Sequence, residues 1–439
     1  MRAFRFAGTT IVFVALTASS APANAQDAAA AQALRTEIDQ LKKDFDTRLA
    51  DLESRLAALT GTPPPGVVAE PVTPVQTPAS PTPPASPAQA PGGAEGAALP
   101  VYGNAAASSK VFNPDTAVIG NFLGATGENK VNPQPALQLS ESEVSLQAIV
   151  DPYARADFFL SFGEEGVAVE EGFITFPTLP GDLLMKVGKM RAAFGKVNTL
   201  HTHVLPWTDR PLVTDNLVGG DDGIDDAGIS VSRLIPNPWF FLEGTGQVYR
   251  GDSDDVFHST KRGNLSYVGH LRGYQDVSES TNLDLGVSYA RGHNPSGLLS
   301  GGDAEARGRF ITQLFGVDAT VRWRPLRRAI YHSFLGRGEF IVSRRDQPDG
   351  LQNSSGWYLS GDYQLGRRWF TGLRFDRSDL LTDADLHDSG RSLILTYWPS
   401  EFSQVRGQVR RTNYAEGPTA NEFLFQFQFA IGAHGAHPF

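Results

Sequence analysis

The sequence predicts a transmembrane antiparallel β-barrel of about 16 strands, preceded by a short α-helical coiled coil and a Pro-rich linker. Three observations predict the barrel. Apolar and polar residues alternate in many short segments that are separated by clusters of Gly, Asn, Asp and Pro. Charged residues occupy the polar face in mid-segment, where a water-filled lumen accepts them and the core of a soluble sandwich does not. No apolar run after the first 25 residues is long enough for a membrane helix.

The alternation is clearest in the segments 283–290, 309–325 and 368–379, each of which places its large apolar residues on one face. The other predicted strands share this pattern less regularly. They cover residues 117–124, 138–150, 153–162, 167–176, 182–191, 227–235, 239–250, 264–277, 328–344, 355–365, 391–399, 401–412 and 421–433. No comparable helical pattern occurs within this region. The strands are therefore expected to close on themselves without covering helices.

The last predicted strand carries four phenylalanines on one face, and the chain ends on a fifth, Phe439. The four are Phe423, Phe425, Phe427 and Phe429. An aromatic terminus after an alternating last strand resembles the ends of outer-membrane barrels. In a membrane barrel, the alternating apolar residues from Phe423 to Ile431 are expected to face lipid. The resemblance implies that Phe439 is an assembly signal for the barrel-assembly machinery.

The first part of the chain predicts three further segments. Residues 1–25 read as a secretory signal with a short apolar run and an A-x-A cleavage site, and an uncleaved anchor is the alternative. Residues 26–60 carry a heptad-like apolar seam, which indicates a self-associating coiled coil or else a helix packed on its own domain. Residues 61–109 are rich in Pro and Ala and are predicted to form a disordered tether. The barrel domain is then 110–439.

Composition excludes several classes of function. The chain has no cysteine, which excludes disulfides and thiolate metal sites. The formal net charge is −10, so nucleic acid is not an expected partner. No G-x-S-x-G motif or phosphate-cradling loop occurs, and neighbouring Ser and His residues would lie on opposite strand faces. We therefore expect neither an enzyme nor a cofactor.

The layout of signal, coiled coil, Pro-rich spacer and barrel resembles that of trimeric outer-membrane porins. Residues 182–213 resemble the phosphate-selective-porin-like group, in which a strand is followed by a long irregular segment. The ending "GAHGAHPF" resembles barrels labelled zinc-regulated TonB-dependent receptors, although the chain lacks the N-terminal plug of such receptors. These resemblances imply a homotrimer in outer-membrane lipid, with the coiled coil in the periplasm.

The longest predicted connection, residues 196–228, is expected to fold inward as a pore constriction. The candidate constriction residues within it are Asp209, Arg210, Asp215, Asp221, Asp222, Asp225 and Asp226. Lumen-facing arginines would oppose them and set a transverse field, namely Arg322, Arg324, Arg374 and Arg406. The alternative is that the aspartates only solvate an external loop. Because few basic residues are local, a phosphate preference is not expected.

Two histidine pairs are candidate metal ligands. His201 and His203 would share one face of an extended segment and bind a metal with Asp209, and His434 and His437 would do so if the chain end folds back. Ordinary polar roles are the alternative for both pairs. The acidic segment 220–228 lacks the length and closing Glu of an EF-hand, so calcium is not predicted.

These observations together predict a porin-type channel for the passive diffusion of small polar solutes or ions. One alternative is a barrel that takes up or exports metal ions of zinc type with a partner. A second alternative is a structural envelope tether.

Overall fold

The computed structural model describes Lys43 and residues 114–432, with gaps at 165, 254–255, 297–307 and 416. Several predictions fall outside these residues. The signal peptide, nearly all of the coiled coil, the linker 61–109, His434, His437 and Phe439 are among them. Within the described part of the chain, no helix combines the length and the apolar character needed to cross a bilayer.

The described residues form one closed barrel of 16 antiparallel strands, which confirms the predicted fold class. Each strand pairs with its neighbours in sequence, and β1 pairs with β16 to close the wall. The strands are β1 Asp115–Glu128, β2 Leu137–Asp151, β3 Ala154–Gly163, β4 Gly166–Leu179, β5 Leu183–Arg191, β6 Asp225–Leu234, β7 Phe241–Tyr249, β8 Ser266–Ser278, β9 Thr281–His293, β10 Ile311–Trp323, β11 Phe334–Gln347, β12 Gly350–Gln364, β13 Trp369–Asp379, β14 His387–Ser400, β15 Ser403–Asn413 and β16 Thr419–Gly432.

The two faces of the wall differ as the alternation predicts. On β16, Phe423 and Phe427 are exposed on the outside, while Gln426 and Gln428 are buried on the inside. The same division runs around the barrel, and many outward side chains are large and apolar. A barrel with an apolar exterior and a polar interior is the arrangement that suits lipid outside and water inside.

The closing seam depends on a close approach between two strands. Gly120 of β1 lies opposite Phe429 of β16. A Cβ atom on Gly120 would lie 2.3 Å from Cζ of the Phe429 ring, so the ring occupies the space that a side chain would need. Glycine at this position lets the aromatic ring cover the backbone of the neighbouring strand.

The connections differ strongly between the two ends of the barrel. Connections from even to odd strands have two to six residues, except the ten-residue connection 324–333, and we call that end the short-turn end. The opposite, long-loop end carries the connections 192–224, 250–265 and 294–310. We call residues 192–224, between β5 and β6, the inner loop, because it contacts inward-facing side chains of several strands. It contains a 3₁₀ turn at Thr202–Val204 and one short helix, α1, at Leu212–Val218.

The inner loop ends earlier, and β6 begins earlier, than the sequence predicts. Asp225 and Asp226 belong to β6, where they pair with Arg191 and Met190 of β5. The start of β6 could not be predicted from the sequence, because its first residues are polar and the alternation of apolar and polar residues begins only further along the strand. Helix α1 was also not predicted. It follows Pro211 and ends at Gly219, whose φ of 102° is the left-handed conformation that glycine adopts readily.

Candidate functional site

The inner loop is held against the barrel wall by an apolar cluster inside the lumen. Trp207 is 1% exposed and meets the ring of Tyr358 on β12 edge to face, with centroids 5.2 Å apart. Val213 of α1 lies over Gly356 of β12. Because Gly356 has no side chain, it leaves room for the Val213 side chain. Other inward apolar residues complete the cluster, among them Leu314, Ile341 and Ile394. Burial of this size makes the loop part of the barrel's core.

Asp209 of the inner loop is the centre of an ion-pair network with strands β13 and β15. Its Oδ2 lies 2.6 Å from Nη2 of Arg374 on β13 and 2.8 Å from Nη1 of Arg410 on β15. The side-chain amide of Gln408 donates to its Oδ1. Burial raises the pKa of the carboxyl, but the two guanidinium groups outweigh burial and lower the pKa to about 2.

The predicted lumen arginines Arg374 and Arg406 lie beneath the inner loop. Arg374 is 1% exposed, and its Nη1 donates to the carbonyl of Asp209 at 2.9 Å. Arg406 donates from Nη1 to the carbonyls of Leu205 and Trp207 at 2.8 Å and 3.0 Å. Both arginines therefore hold the loop in position, and their charges are covered by it.

Strand β9 anchors the start of the inner loop. Nζ of Lys196 lies 3.2 Å from Oδ2 of Asp284 on β9. The amide of Gly195 donates to Oγ of Ser288 on the same strand at 2.9 Å. Asp284 also accepts hydrogen bonds from Arg272 of β8. These contacts tie the beginning of the loop to the side of the barrel formed by β8 and β9.

Strands β2 and β4 contact the inner loop through His201. Its Nδ1 lies 2.6 Å from Glu143 Oε2 on β2 and 3.0 Å from Glu170 Oε2 on β4, and its Nε2 lies 2.9 Å from Glu171 Oε2. Burial would lower the pKa of the imidazole, but its hydrogen bonds to the three carboxylates raise that pKa well above the ordinary value. Nδ1 of His203 lies 3.4 Å from Glu143 Oε2.

The structure thus brings His201 and His203 together, as the sequence predicts, but gives them different partners. Asp209 binds Arg374 and Arg410 and takes no part in this cluster. Glu143, Glu170 and Glu171 take its place. The predicted metal set with Asp209 is therefore wrong in its carboxylate, because five residues of loop separate Asp209 from His203 and Asp209 contacts β13 and β15 instead.

A β-bulge explains why Glu170 and Glu171 both reach the cluster. In the β3–β4 ladder, Glu171 pairs with Phe159 and Val169 pairs with Leu160, so Glu170 is the extra residue. A bulge turns two successive side chains toward one face. Strict alternation would have sent one of these glutamates to lipid, which is why sequence reasoning missed the pair. The adjacent glutamates in "VAVEEGF" were the available signal.

The other loop charges divide into internal and exposed groups. Arg210 donates to the carbonyls of Val197 and Leu200 at 3.2 Å and 2.9 Å, so it fastens the loop to itself. Burial lowers the pKa of its guanidinium to about 10. Asp215, Asp221 and Asp222 are exposed.

The remaining candidate constriction residues lie at strand ends, namely at the start of β6 and at the end of β10. Asp225 forms an ion pair with Lys189 at 2.8 Å. Asp226 accepts hydrogen bonds from the amides of Gly251 and Asp252. Arg322 and Arg324 lie at the short-turn end, where β10 finishes, and Arg322 is within electrostatic range of Asp284, the partner of Lys196.

One comparison places the chain among known sequences. A protein of Aquifex aeolicus (strain VF5), named only as uncharacterized, is 31% identical over 353 residues, with 72% of this chain and 73% of the relative covered. The chain belongs to the same family as this Aquifex protein. No family model matches the sequence.

Comparison with solved structures gives independent support for the fold of this chain. The anion-selective porin from Comamonas acidovorans matches with a TM-score of 0.51 at 12% identity, over 72% of this chain and 99% of that chain. At this identity the likeness concerns the fold. The predicted resemblance to the outer-membrane porins is confirmed at that level, while the resemblances to the phosphate-selective and zinc-regulated groups stay predictions.

Proposed function

We propose that the protein is an outer-membrane channel through which small polar solutes or ions diffuse passively, and that the inner loop is its constriction. The observation that carries this proposal is the attachment of one loop to three parts of the inner wall. His201 contacts β2 and β4, Lys196 contacts β9, and Asp209 contacts β13 and β15. A loop attached in this way crosses the lumen and narrows it.

The charges that remain exposed on the loop would act on permeating ions. Asp215 lies on α1, whose apolar residues Leu212, Val213 and Leu217 are buried. An exposed carboxylate at a narrow passage favours cations over anions. Arg374 and Arg406 are covered by the loop, so the transverse field predicted from the sequence would depend on other lumen cations.

Planar-bilayer recording of the purified mature protein tests the channel role. The proposal expects discrete open steps, and the reversal potential in asymmetric salt reports whether cations or anions permeate better. A protein that inserts as a folded barrel and gives no steps would contradict the proposal. The proposal assigns no catalytic group and no cofactor.

The oligomer is part of the same proposal. We infer a homotrimer in which the coiled coil of residues 26–60 stands on the periplasmic side, joined to the barrel by the tether 61–109. Deleting residues 26–60 should weaken the trimer and leave single-channel conductance unchanged. A trimer of unaltered stability after this deletion would contradict the role given to the coiled coil.

A further inference from the structure

Four possible metal ligands converge where the inner loop meets β2 and β4. Nδ1 of His201 lies 2.6 Å from Glu143 Oε2 and 3.0 Å from Glu170 Oε2. Nδ1 of His203 lies 3.4 Å from the same oxygen of Glu143. One ligand atom from each of Glu143, His201 and His203 falls within 4.8 Å of the others. All four side chains are largely buried.

The orientation of His201 suits metal binding. Its Nε2 lies 2.9 Å from Glu171 Oε2, so this nitrogen donates its proton to a carboxylate. Nδ1 then faces Glu143, Glu170 and His203. A histidine that gives one ring N–H to a carboxylate and directs the other nitrogen at a metal is a common arrangement in metal sites, where the carboxylate fixes the tautomer.

A neighbouring carboxylate points independently to a cation. Glu141 is 6% exposed, and neither of its oxygens meets a hydrogen-bond donor among the described residues. Its polar neighbours are the carboxylates of Glu143 and Glu170, with oxygens within 4.8 Å of one another. A buried carboxylate without a donor is unfavourable unless a proton or a cation offsets its charge.

The groups in direct contact with the carboxylates do not balance their charge. Four glutamates, Glu141, Glu143, Glu170 and Glu171, surround the imidazole of His201, and Nη2 of Arg191 lies 3.9 Å from Glu170 Oε2. Lys186 and Arg210 offset part of the charge on Glu171 and Glu170 from outside the cluster. A divalent ion would offset the remaining charge from within it. Replacement of shared protons by a cation is the ordinary route by which such sites bind metal.

We propose that Glu143, Glu170, His201 and His203 bind one divalent transition-metal ion of zinc type, with Glu171 as the residue that positions His201. Two nitrogen and two oxygen ligands match the tetrahedral preference of zinc. With metal–ligand bonds of about 2.0–2.1 Å, tetrahedral ligands lie roughly 3.3 Å apart. The ion therefore requires a small opening of the Glu143–His201 contact and a closing movement of the ligand atoms that now lie up to 4.8 Å apart. Calcium and magnesium prefer oxygen ligands and fit a site with two imidazoles poorly.

The bound ion would join the inner loop to β2 and β4. This role is separate from the channel function, because the ion would be held whether or not solutes pass. It also gives the metal-uptake alternative one structural observation, although a buried site joined to the wall is suited to holding an ion in place.

The test uses the full mature protein in detergent, stripped with a chelator and titrated with Co²⁺ and Zn²⁺. Wild type should bind one Co²⁺ with the visible absorption of tetrahedral cobalt, and Zn²⁺ should displace it. His203→Gln and Glu143→Gln should each lose this absorption. Glu171→Gln keeps all four ligands, so its spectrum should remain while affinity falls about 10–100-fold. Heat-modifiable migration on a gel verifies that each variant is folded.

Two controls separate this site from other histidines. His258→Gln removes a half-buried histidine that pairs with Asp252 and should bind metal like wild type. His434→Gln/His437→Gln removes the C-terminal pair and should also bind like wild type. Folded His203→Gln and Glu143→Gln proteins that keep the cobalt spectrum would overturn the proposal. So would loss of binding in the C-terminal double variant alone, or a wild type that binds no metal because its carboxylates share protons.

Discussion

Asp209 Oδ2 of the inner loop lies 2.6 Å from Arg374 Nη2 and thereby connects the loop to the strand β13. Arg374 is 1% exposed and also binds Asp376 at 2.9 Å. A guanidinium buried this fully depends on its carboxylate partners. The position of the loop is therefore coupled to one short ion-pair network.

Asp209→Asn should release this end of the inner loop. The change leaves two buried guanidinium groups with one carboxylate less, which costs about 3 kcal/mol or more. We expect larger and noisier single-channel conductance. Asp222→Asn is the matched control, since Asp222 is exposed. Equal conductance of Asp209→Asn and wild type would argue against the anchor.

Acid should release the same anchor. The folded pKa of Asp209 is lowered to about 2, below the ordinary value of about 3.9, so the ion pairs stabilise the docked loop fully above about pH 4. That stabilisation, roughly 2–3 kcal/mol, is lost as pH falls from about 4 through about 2. Conductance recorded across this window should rise on acidification in wild type. Asp209→Asn should not show this rise, and a wild type with flat conductance would contradict the assignment.

Gly195→Ala should displace the start of the inner loop. Gly195 has φ of 60°, and a Cβ atom there would lie 1.5 Å from Oε1 of Glu339. Gly220 has φ of 65° but meets nothing within 4 Å, so Gly220→Ala carries the same backbone cost without the clash. Limited proteolysis of the folded barrel should cut the loop faster in Gly195→Ala than in Gly220→Ala. Equal rates would show that the close contact with Glu339 does not position the loop.

Gly120→Val should weaken the closing seam between β1 and β16. The added side chain meets the Phe429 ring, whose Cζ would lie 2.3 Å from the new Cβ. Gly246→Val is the control, because that glycine has open space around its Cβ position. We expect the barrel to unfold at a lower temperature in Gly120→Val alone, as measured by the shift in its migration on a gel after heating. An equal drop in both variants would point to strand glycine in general instead of this pair.

Sequence reasoning found the wall of the barrel because its signal is local. Alternation in a segment such as 283–290 is visible within a few residues, and every predicted strand overlaps an observed one. The outward Phe423 and inward Gln426 follow from the same period of two.

The interior was harder to predict because its partners lie far apart in sequence. Tyr358 and Ile394 face inward despite being apolar, since the inner loop covers them. Arg374 and Arg406 looked like lumen charges, and only the folded loop shows that they bind Asp209 and the carbonyls of Leu205 and Trp207. The bulge at Glu170 breaks the period on which the prediction relied.

Chemical labelling of one loop position tests the central claim most directly, because the chain has no cysteine of its own. Asp215→Cys places a thiol on the exposed face of α1, and Val409→Cys places one on the outward face of β15. Addition of a bulky cationic thiol reagent to open channels in a planar bilayer should step the conductance down in Asp215→Cys and leave Val409→Cys unchanged. Full labelling of Asp215→Cys with no change in current would mean that ions do not pass the inner loop.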